Sequence, residues 1–217
     1  MTVIRLPGEN TNALARDLIT KGEIVAFRTD TLYGLGVNPW DRKALRALNK
    51  LKGREEGKPI LILISDENLV TNFIARRTPL YELLSRAYFP GALTIIETAC
   101  DEVPGELTAN TKTIGVRVPD DEAVRGFVRT CGGALTATSA NLSGQPPSLT
   151  ASQVAAYFPE GVSLIVDSGR CETTLASTVI DISGQSPRLL REGVITKETL
   201  QITLTQAGLS LVNSFIL

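Results

Sequence analysis

Short apolar runs alternate with amphipathic stretches along most of the chain. The apolar runs predict strands at residues 3–6, 23–28, 60–64, 93–98, 113–118, 134–138, 164–167, 177–182 and 188–190. Apolar residues at helical spacing predict helices at residues 11–21, 41–52, 67–75, 80–88, 121–130 and 152–158. Because helices and strands are interspersed, and the second half has several strands with little helix between them, we predict an α/β fold with a mixed sheet.

Nothing along the chain divides it into separate globular parts. We find no internal repeat, low-complexity tract or linker, and 217 residues suffice for one domain with a sizeable core and an internal cavity. We therefore predict one domain over residues 1–195, followed by a short tail over residues 196–217.

Histidine is absent from the sequence. Its absence excludes Ser-His-Asp and Cys-His hydrolases, HExxH metalloproteases, Cys2His2 zinc fingers and any reaction that uses a histidine base. Chemistry at a site in this protein must therefore use lysine, arginine, carboxylates, hydroxyls or backbone groups.

The cysteines and the chain's apolar runs bear on location. Cys100, Cys131 and Cys171 are far apart and form no CxxC pair, which suits a reducing compartment. The first residues show no secretory signal, and no apolar run approaches the roughly 18 residues that a membrane helix needs. We therefore expect a cytoplasmic protein with no membrane contact.

Charge is distributed unevenly, although the net charge is only −1. Residues 41–58 carry seven Lys or Arg against three acidic residues, a local charge of +4 that leaves −5 for the rest of the chain. A local basic block on a nearly neutral protein favours an anionic ligand over a nucleic-acid footprint across the whole surface.

Lys52 is the unusual member of this block. At 100° per residue it falls on the same helix face as Leu45 and Leu48, in the last turn before Gly53. Its side chain therefore either extends past the helix end, where it offsets the helix dipole, or is aimed into an interior cavity.

Two glycine-rich segments fall short of nucleotide-binding fingerprints. The loop at residues 53–59 misses the Walker pattern, because three residues instead of four separate its glycines and a proline follows Lys58. It is either a solvated charged loop or a place where Lys52, Arg54 and Lys58 converge on phosphates. The Gly-Leu-Gly of residues 34–36 lacks the third glycine of a dinucleotide motif and predicts a tight turn or strand crowding.

Two further segments carry candidate binding groups. Period-two alternation in residues 113–118 puts Thr113 and Arg117 on one face with a glycine between them. That face is either a groove floor or an exposed surface with a bulge. Residues 134–144 are rich in small and hydroxylic side chains, which suits close approach to an anion. Without histidine to activate Ser139, these serines would be binders and not nucleophiles.

Seven motifs, taken in chain order over about residues 5–195, closely resemble the YrdC/TsaC family. Each motif is weak by itself, but the ordered set is highly specific. The motifs are Thr29-Asp-Thr-Leu-Tyr-Gly-Leu-Gly36, Lys52-Gly-Arg54 with Lys58-Pro59, Pro90-Gly-Ala-Leu-Thr94, Arg117-Val-Pro119, Ser139-Ala-Asn141 with Ser143-Gly144, Ser177-Thr-Val179 with Asp181, and Leu190-Arg-Glu-Gly193.

The resemblance implies a fold and an activity. The fold is a twisted mixed sheet with flanking helices around a large basic cavity. The activity is that of an L-threonylcarbamoyladenylate synthase. L-threonine, bicarbonate or CO2, and ATP give threonylcarbamoyl-AMP and pyrophosphate, the first step toward the t6A modification of tRNA. Mg²⁺ bridging the phosphates and a downstream threonylcarbamoyl-transfer complex are expected with it.

Residue roles follow from the resemblance position by position. Nucleotide contacts fall on Arg54, Lys58, Thr113, Ser139 and Arg191, and threonine contacts on Thr31, Arg117 and Ser177. Lys52 and Asn141 complete the family's KxR and SxN signatures. Lys52 and Arg54 are then the catalytic candidates, because they would neutralise phosphate charge. Asn141 joins the ATP-binding set, and Arg117 would pair with the threonine carboxylate.

Two positions depart from the family and two other functions compete with it. Leu63 stands where some relatives have histidine, and Pro147 where some have a nucleotide-contacting serine. The main competitor is a module that binds RNA without turnover. Scarce aromatic residues argue against single-stranded RNA, whereas recognition of tRNA or double-stranded RNA by shape stays open. A carbamoyl-transfer domain of the hydrogenase-maturation type is disfavoured, because those proteins are much longer.

Overall fold

The computed structural model describes residues 2–53 and 59–213. Its strands are β1 (Val3–Arg5), β2 (Val25–Arg28), β3 (Tyr33–Gly36), β4 (Ile62–Ile64), β5 (Leu93–Thr98), β6 (Thr113–Arg117), β7 (Ala134–Thr136), β8 (Thr138–Ser139), β9 (Leu164–Val166), β10 (Thr178–Asp181), β11 (Arg188–Arg191) and β12 (Val212–Asn213). Its helices are α1 (Glu9–Thr20), α2 (Arg42–Lys52), α3 (Pro79–Tyr88), α4 (Gly105–Thr108), α5 (Glu122–Thr130), α6 (Ala151–Tyr157) and α7 (Lys197–Thr205), with a 3-10 helix at Glu67–Asn72. The predicted α/β class is confirmed.

The described strands form two mixed sheets, where the sequence pattern predicts one. The five-stranded sheet has the order β1-β9-β2-β3-β8, and the seven-stranded sheet has the order β12-β11-β10-β5-β6-β4-β7. Both combine parallel pairs, such as β2 with β9, and antiparallel pairs, such as β5 with β6. Pairing joins strands that are far apart in sequence, so a local apolar pattern predicts a strand without saying which sheet it joins.

One large apolar core receives residues from both sheets. Leu35 of the first sheet and Ile95 of the second belong to the same buried cluster, together with Leu45 of α2. A second cluster joins α1 and α5 to the opposite side of the five-stranded sheet, with the rings of Phe27 and Phe127 5.0 Å apart. The shared core fixes the two sheets against each other, and a cavity between them then has rigid walls.

Helix α2 has clear signals at both ends. The Asp41 side chain caps it by accepting from the backbone N–H groups of Lys43 (2.9 Å) and Ala44 (3.0 Å). Gly53, with φ of 56°, ends it in the left-handed region that favours glycine. Because Leu48 is fully buried, the last turn is held against the core and Lys52 is carried inward with it.

The apolar pattern misses strand β3. A Cβ at Gly36 would lie only 2.7 Å from Cε1 of Phe27 on the neighbouring strand, so this position requires glycine. Because glycine has no apolar side chain, the segment does not show the alternation that predicts a strand. Strand crowding is therefore the correct interpretation of the Gly-Leu-Gly segment, and its backbone lies close to β2 for this reason.

The described part of the predicted tail is packed on the domain. The side chains of Leu200 and Leu204 in α7 are fully buried in the large core, and β12 adds a strand beside β11. No helix of the described residues is long and apolar enough to cross a membrane.

Replacing Leu204 by alanine is expected to destabilise the protein by about 2–5 kcal/mol, because the lost methyl groups leave a cavity in a closed core. Ile202→Ala on the same helix is the control, since Ile202 is 65% exposed. We expect the control to change the free energy of unfolding by less than about 0.5 kcal/mol. Urea unfolding of both variants measures the difference, and equal stabilities would show that α7 is not part of the cooperative fold.

Candidate functional site

A cavity of about 270 Å³ lies where the two sheets meet. The loop between β2 and β3, and the segment from β8 onward, line it from the five-stranded sheet. Residues of β4, β5, β6 and β11 line it from the seven-stranded sheet. Its polar lining residues are Thr29, Thr31, Lys52, Thr94, Arg117, Thr138, Ser139, Asn141, Ser143 and Arg191.

Arg117 is the buried charge of this cavity, with 4% of its surface exposed. Its Nη2 donates to Asp30 Oδ2 at 2.5 Å, Nη1 donates to Thr31 Oγ1 at 3.0 Å, and Nε donates to the Gly91 carbonyl at 2.8 Å. The Asp30 carboxylate also accepts from the backbone N–H of Asp120. Since guanidinium has five N–H donors, two of them remain for a bound anion after these contacts.

The hydroxyls of Thr29 and Thr31 extend this hydrogen-bond network. Thr29 Oγ1 donates its one proton to the Leu32 carbonyl at 2.8 Å, and it lies 3.1 Å from Thr31 Oγ1. The backbone N–H groups of Thr31 and Leu32 both donate to Thr29 Oγ1, which occupies its two acceptor positions. Thr31 Oγ1 accepts from Arg117, and its hydroxyl can donate to or accept from a ligand.

A second arginine stands at the cavity mouth. Arg191 Nε donates to the Ser177 carbonyl at 3.0 Å, and its Nη2 donates to Ser177 Oγ at 3.2 Å. Ser177 Oγ is also 2.9 Å from Thr94 Oγ1. A Cβ at Gly193 would lie 2.2 Å from the Ala176 carbonyl oxygen, so glycine permits the close approach that brings Arg191 to Ser177.

The two arginines repel each other across the site. Burial lowers the pKa of Arg117, and the charge of Asp30 opposes that shift. Desolvation lowers the pKa of Arg191, and the positive charge of Arg117 adds to the effect. An anion between the two guanidinium groups would relieve the repulsion, which makes the cavity suited to carboxylates and phosphates.

Lys52 is aimed into the cavity, which resolves the two alternatives for its side chain. It is 5% exposed, and its ammonium donates to the Ser139 carbonyl, to the Asn141 carbonyl at 2.7 Å and to Asn141 Oδ1 at 3.3 Å. Strand β8 pairs Ser139 with Gly34, so these acceptors are fixed by the sheet. The lysine therefore holds the Ser139–Asn141 segment in place and adds a positive charge beside it.

The structure brings together six of the predicted site residues along the cavity wall: Thr31, Lys52, Arg117, Ser139, Asn141 and Arg191. Ser177 lies behind Arg191, to which it is hydrogen-bonded. Arg54 and Lys58 lie outside the described residues. Thr113 does not line the cavity as described; its hydroxyl is 2.9 Å from that of Thr111. The roles of these residues remain predictions.

The strand face that carries Thr113 and Arg117 was predicted to be either a groove floor or an exposed surface with a bulge. Neither prediction holds at Gly115, which lies between the two residues. A Cβ at Gly115 would lie 2.3 Å from Leu61 Cδ2, so the Leu61 side chain fills the space and no open groove or exposed bulge exists there. Leu63, one of the two departures from the family pattern, forms part of the cavity's apolar wall, whereas Pro147, the other, does not line it.

Sequence reasoning misses two residues that organise the site. Asp30 sits within the Thr29–Gly36 motif and holds Arg117, and Thr94 ends the Pro90–Thr94 motif and contacts Ser177. Their presence in family motifs is the only local signal. Their partners lie 87 and 83 positions away, so no spacing rule could have assigned the contacts.

Comparison with known proteins places these features in a family. The Sua5/YciO/YrdC family model, described as telomere recombination, matches residues 17–193. Threonylcarbamoyl-AMP synthase of Bacillus subtilis is 34% identical over 191 residues, which is 87% of this chain and 55% of that protein. Threonylcarbamoyl-AMP synthase of Thiobacillus denitrificans is 35% identical over 166 residues, which is 76% of this chain and 87% of that protein.

The solved structure of P. abyssi Sua5 complexed with L-threonine is similar with a TM-score of 0.89 at 29% identity, and the match covers 98% of this chain and 62% of that one. The chain spans about half the length of the Bacillus subtilis and Pyrococcus abyssi synthases that it matches. The ordered motifs, the two-sheet fold and these matches agree, and the chain belongs to the Sua5/YciO/YrdC family.

Proposed function

We propose that this chain is an L-threonylcarbamoyladenylate synthase, which converts L-threonine, bicarbonate or CO2, and ATP to threonylcarbamoyl-AMP and pyrophosphate for t6A formation in tRNA. The observation that carries the proposal is the cavity, in which Arg117 and Arg191 converge with threonine and serine hydroxyls. The names of the Bacillus subtilis and Thiobacillus denitrificans relatives support it, as does the L-threonine complex of P. abyssi Sua5.

The threonine site is proposed around Arg117. The remaining donors of its guanidinium would bind the substrate carboxylate in a charge-assisted pair. Thr31 Oγ1, which is held by Arg117, would contact the substrate ammonium or hydroxyl. Ser177, fixed by Arg191 and Thr94, is proposed as the other hydroxyl of this site.

The ATP site is proposed along the same wall. Ser139 and Asn141 would offer hydroxyl and amide groups, and Arg191 would offer charge at the mouth. Thr113, Arg54 and Lys58 belong to the proposal through the family motifs alone. The catalytic contribution of Lys52 is proposed to be electrostatic and positional, because its donors are directed at Ser139 and Asn141.

The reaction needs two bond-forming steps and no histidine. The deprotonated amine of threonine attacks the carbon of CO2, and a carbamate forms with loss of one proton to solvent. A carbamate oxygen then attacks the α-phosphorus of ATP, the bond to the bridging oxygen of the β-phosphate breaks, and pyrophosphate leaves. Positioning of the two substrates and positive charge around the phosphates supply the catalysis in this scheme.

Mg²⁺ enters the proposal only as the ion that accompanies ATP. Within residues 2–53 and 59–213 no group of three or more His, Cys, Asp or Glu could hold a metal ion. No carboxylate is among the described lining residues of the cavity, and the nearby Asp30 is held by Arg117 and by the Asp120 N–H through its Oδ2. These residues do not fit a protein-held Mg²⁺ site, and we assign no step to the ion.

The proposal is tested by pyrophosphate release, which should require threonine and bicarbonate together. Valine should be a much poorer substrate, because the site's buried polar groups lose their partner when the hydroxyl is missing. Serine, which keeps the hydroxyl and loses the methyl group, should lose only about 10- to 200-fold. Equal turnover of valine and threonine would contradict the roles of Thr31 and Ser177.

The competing function is an RNA-binding module without turnover. Tyr33 is the aromatic residue among the described lining residues, and it is fully buried, which offers no platform for base stacking. Tight binding of tRNA or duplex RNA, with no ATP consumed under any amino acid, would establish this alternative. Transfer of the product to a threonylcarbamoyl-transfer complex and a cytoplasmic location belong to the synthase proposal, and the free thiols of the cysteines support that location.

A further inference from the structure

A second cavity, of about 550 Å³, lies apart from the candidate active site. It is formed between α3, the end of β5, the turn after β10 and the segment after α7. Its walls include the apolar side chains of Leu80, Leu83, Ile182 and Leu209. A cavity of this size matches those that hold small organic molecules in proteins.

Glu97 is the buried charge of this cavity, because it lines the wall and is only 3% exposed, whereas Arg76 of the same wall is exposed. Its Oε1 accepts from the backbone N–H of Thr98 at 2.8 Å, and its Oε2 accepts from Thr78 Oγ1 at 3.3 Å. Among the described residues no cation forms an ion pair with it. Arg76 lines the same cavity without pairing with it, and Arg77 is engaged by Glu67 and Glu82.

A buried carboxylate in this situation favours a cationic partner. Two oxygens offer about four acceptor positions, of which two are used. Burying a charge without an opposite charge is unfavourable unless a ligand or a shift in protonation compensates for it.

We propose that this cavity binds a small organic ammonium ion with an apolar body. The ammonium group would donate to Glu97, and the hydrocarbon part would pack against Leu83, Ile182 and Leu209. A metal ion is not the expected occupant, because the described residues supply a single carboxylate here and no group of three metal-binding side chains. The site is independent of the proposed synthase function, since none of the lining residues of the first cavity takes part in it.

A series of probes of similar shape tests the charge requirement on the unmodified protein. We expect n-butylammonium to shift the backbone amide NMR signals of Thr98, Ile182 and Leu209 saturably. Neutral 1-butanol should bind at least about 10-fold more weakly, and butyrate should not bind, because the charge-assisted hydrogen bond is lost in both. Equal affinity for butylammonium and butanol, or shifts that map elsewhere, would overturn the proposal whether or not any variant folds.

Glu97→Gln removes the charge and keeps an acceptor for the Thr98 N–H. It should weaken n-butylammonium binding about 10-fold and leave threonine-dependent pyrophosphate release unchanged. Glu102→Gln is the matched control, since Glu102 is an exposed carboxylate a few residues along the chain, and it should bind the probe as the parent does. Unchanged affinity of Glu97→Gln for n-butylammonium would contradict the ammonium site. If the parent protein releases no pyrophosphate, only the proposed synthase function is contradicted.

Discussion

Arg117→Leu is expected to lower the stability of the protein by about 3–5 kcal/mol and to abolish threonine-dependent pyrophosphate release. The leucine leaves Asp30 as a charge with 11% of its side chain exposed and no guanidinium partner. It also removes the donor that holds Thr31 and the group proposed for the substrate carboxylate. Both stability and activity should therefore fall, the first through an uncompensated charge and the second through a missing contact.

A double variant should recover part of the stability that Arg117→Leu loses. Asp30→Asn combined with Arg117→Leu removes both charges, and asparagine can still accept from the Asp120 N–H. The double variant should be more stable than Arg117→Leu alone, because removing a whole buried pair costs less than breaking it. It should remain inactive, since the carboxylate-binding group is still missing.

Urea unfolding and the pyrophosphate assay separate these two effects. Arg129→Leu is the control, because Arg129 pairs with Glu122 and Asp66 on the exposed surface, and we expect it to change stability little. If the single and double variants are equally stable, the Asp30 charge is not the source of the loss. If Arg117→Leu retains threonine-dependent turnover, the proposed threonine site is wrong.

Lys52→Met is expected to give the second largest effect. Methionine retains most of the apolar stem, but it leaves the carbonyls of Ser139 and Asn141 without the ammonium donor. The Ser139 carbonyl still accepts from the Asn141 N–H at 3.0 Å, so among the described residues the Asn141 carbonyl is the acceptor that loses its donor. A buried acceptor left unpaired costs about 1–3 kcal/mol, and each kcal/mol lowers the melting temperature by about 2–4 °C in a chain of this size. Activity should fall about 100-fold or more, since the Ser139–Asn141 wall loses its anchor and the site loses a charge.

Lys50→Met on the exposed side of the same helix turn is the matched control. It changes the same residue type without touching the cavity, so its activity and melting temperature should stay close to those of the parent. Melting curves and ATP binding, measured beside turnover, distinguish the two roles of Lys52. A variant that melts normally yet loses turnover would assign Lys52 to the phosphates directly, and a variant with parental turnover would remove it from the site.

Local patterns predicted most of the secondary structure because their cause is local. An apolar stripe at helical spacing, the Asp41 cap and Gly53 specify α2 and the inward face of Lys52 within a dozen residues. Strand β3 was missed for an equally physical reason. Gly36 is required by the Phe27 ring on the neighbouring strand, and a contact between strands leaves no apolar alternation in the sequence.

In the candidate site, too, the sequence indicated which residues take part but not the contacts between distant segments. The family motifs indicated Thr31, Arg117, Ser139 and Arg191, and the structure brings these to one cavity. The motif that contains Asp30 gave no hint that its carboxylate holds Arg117. The contact of Leu61 with Gly115 could not be predicted either, because the two residues belong to different segments of the chain.

The sequence by itself determined most of the helices and strands, the family, and the position of Lys52 on the apolar face of its helix. Only the tertiary structure decided that the strands divide into two sheets, that Asp30 is the partner of Arg117, and that Lys52 binds the Ser139–Asn141 segment. The reason is the range of the interactions involved. Amphipathic periodicity and helix caps act over a few residues, whereas Arg117 and Lys52 meet partners 87 positions away, which only chain packing brings within hydrogen-bonding distance.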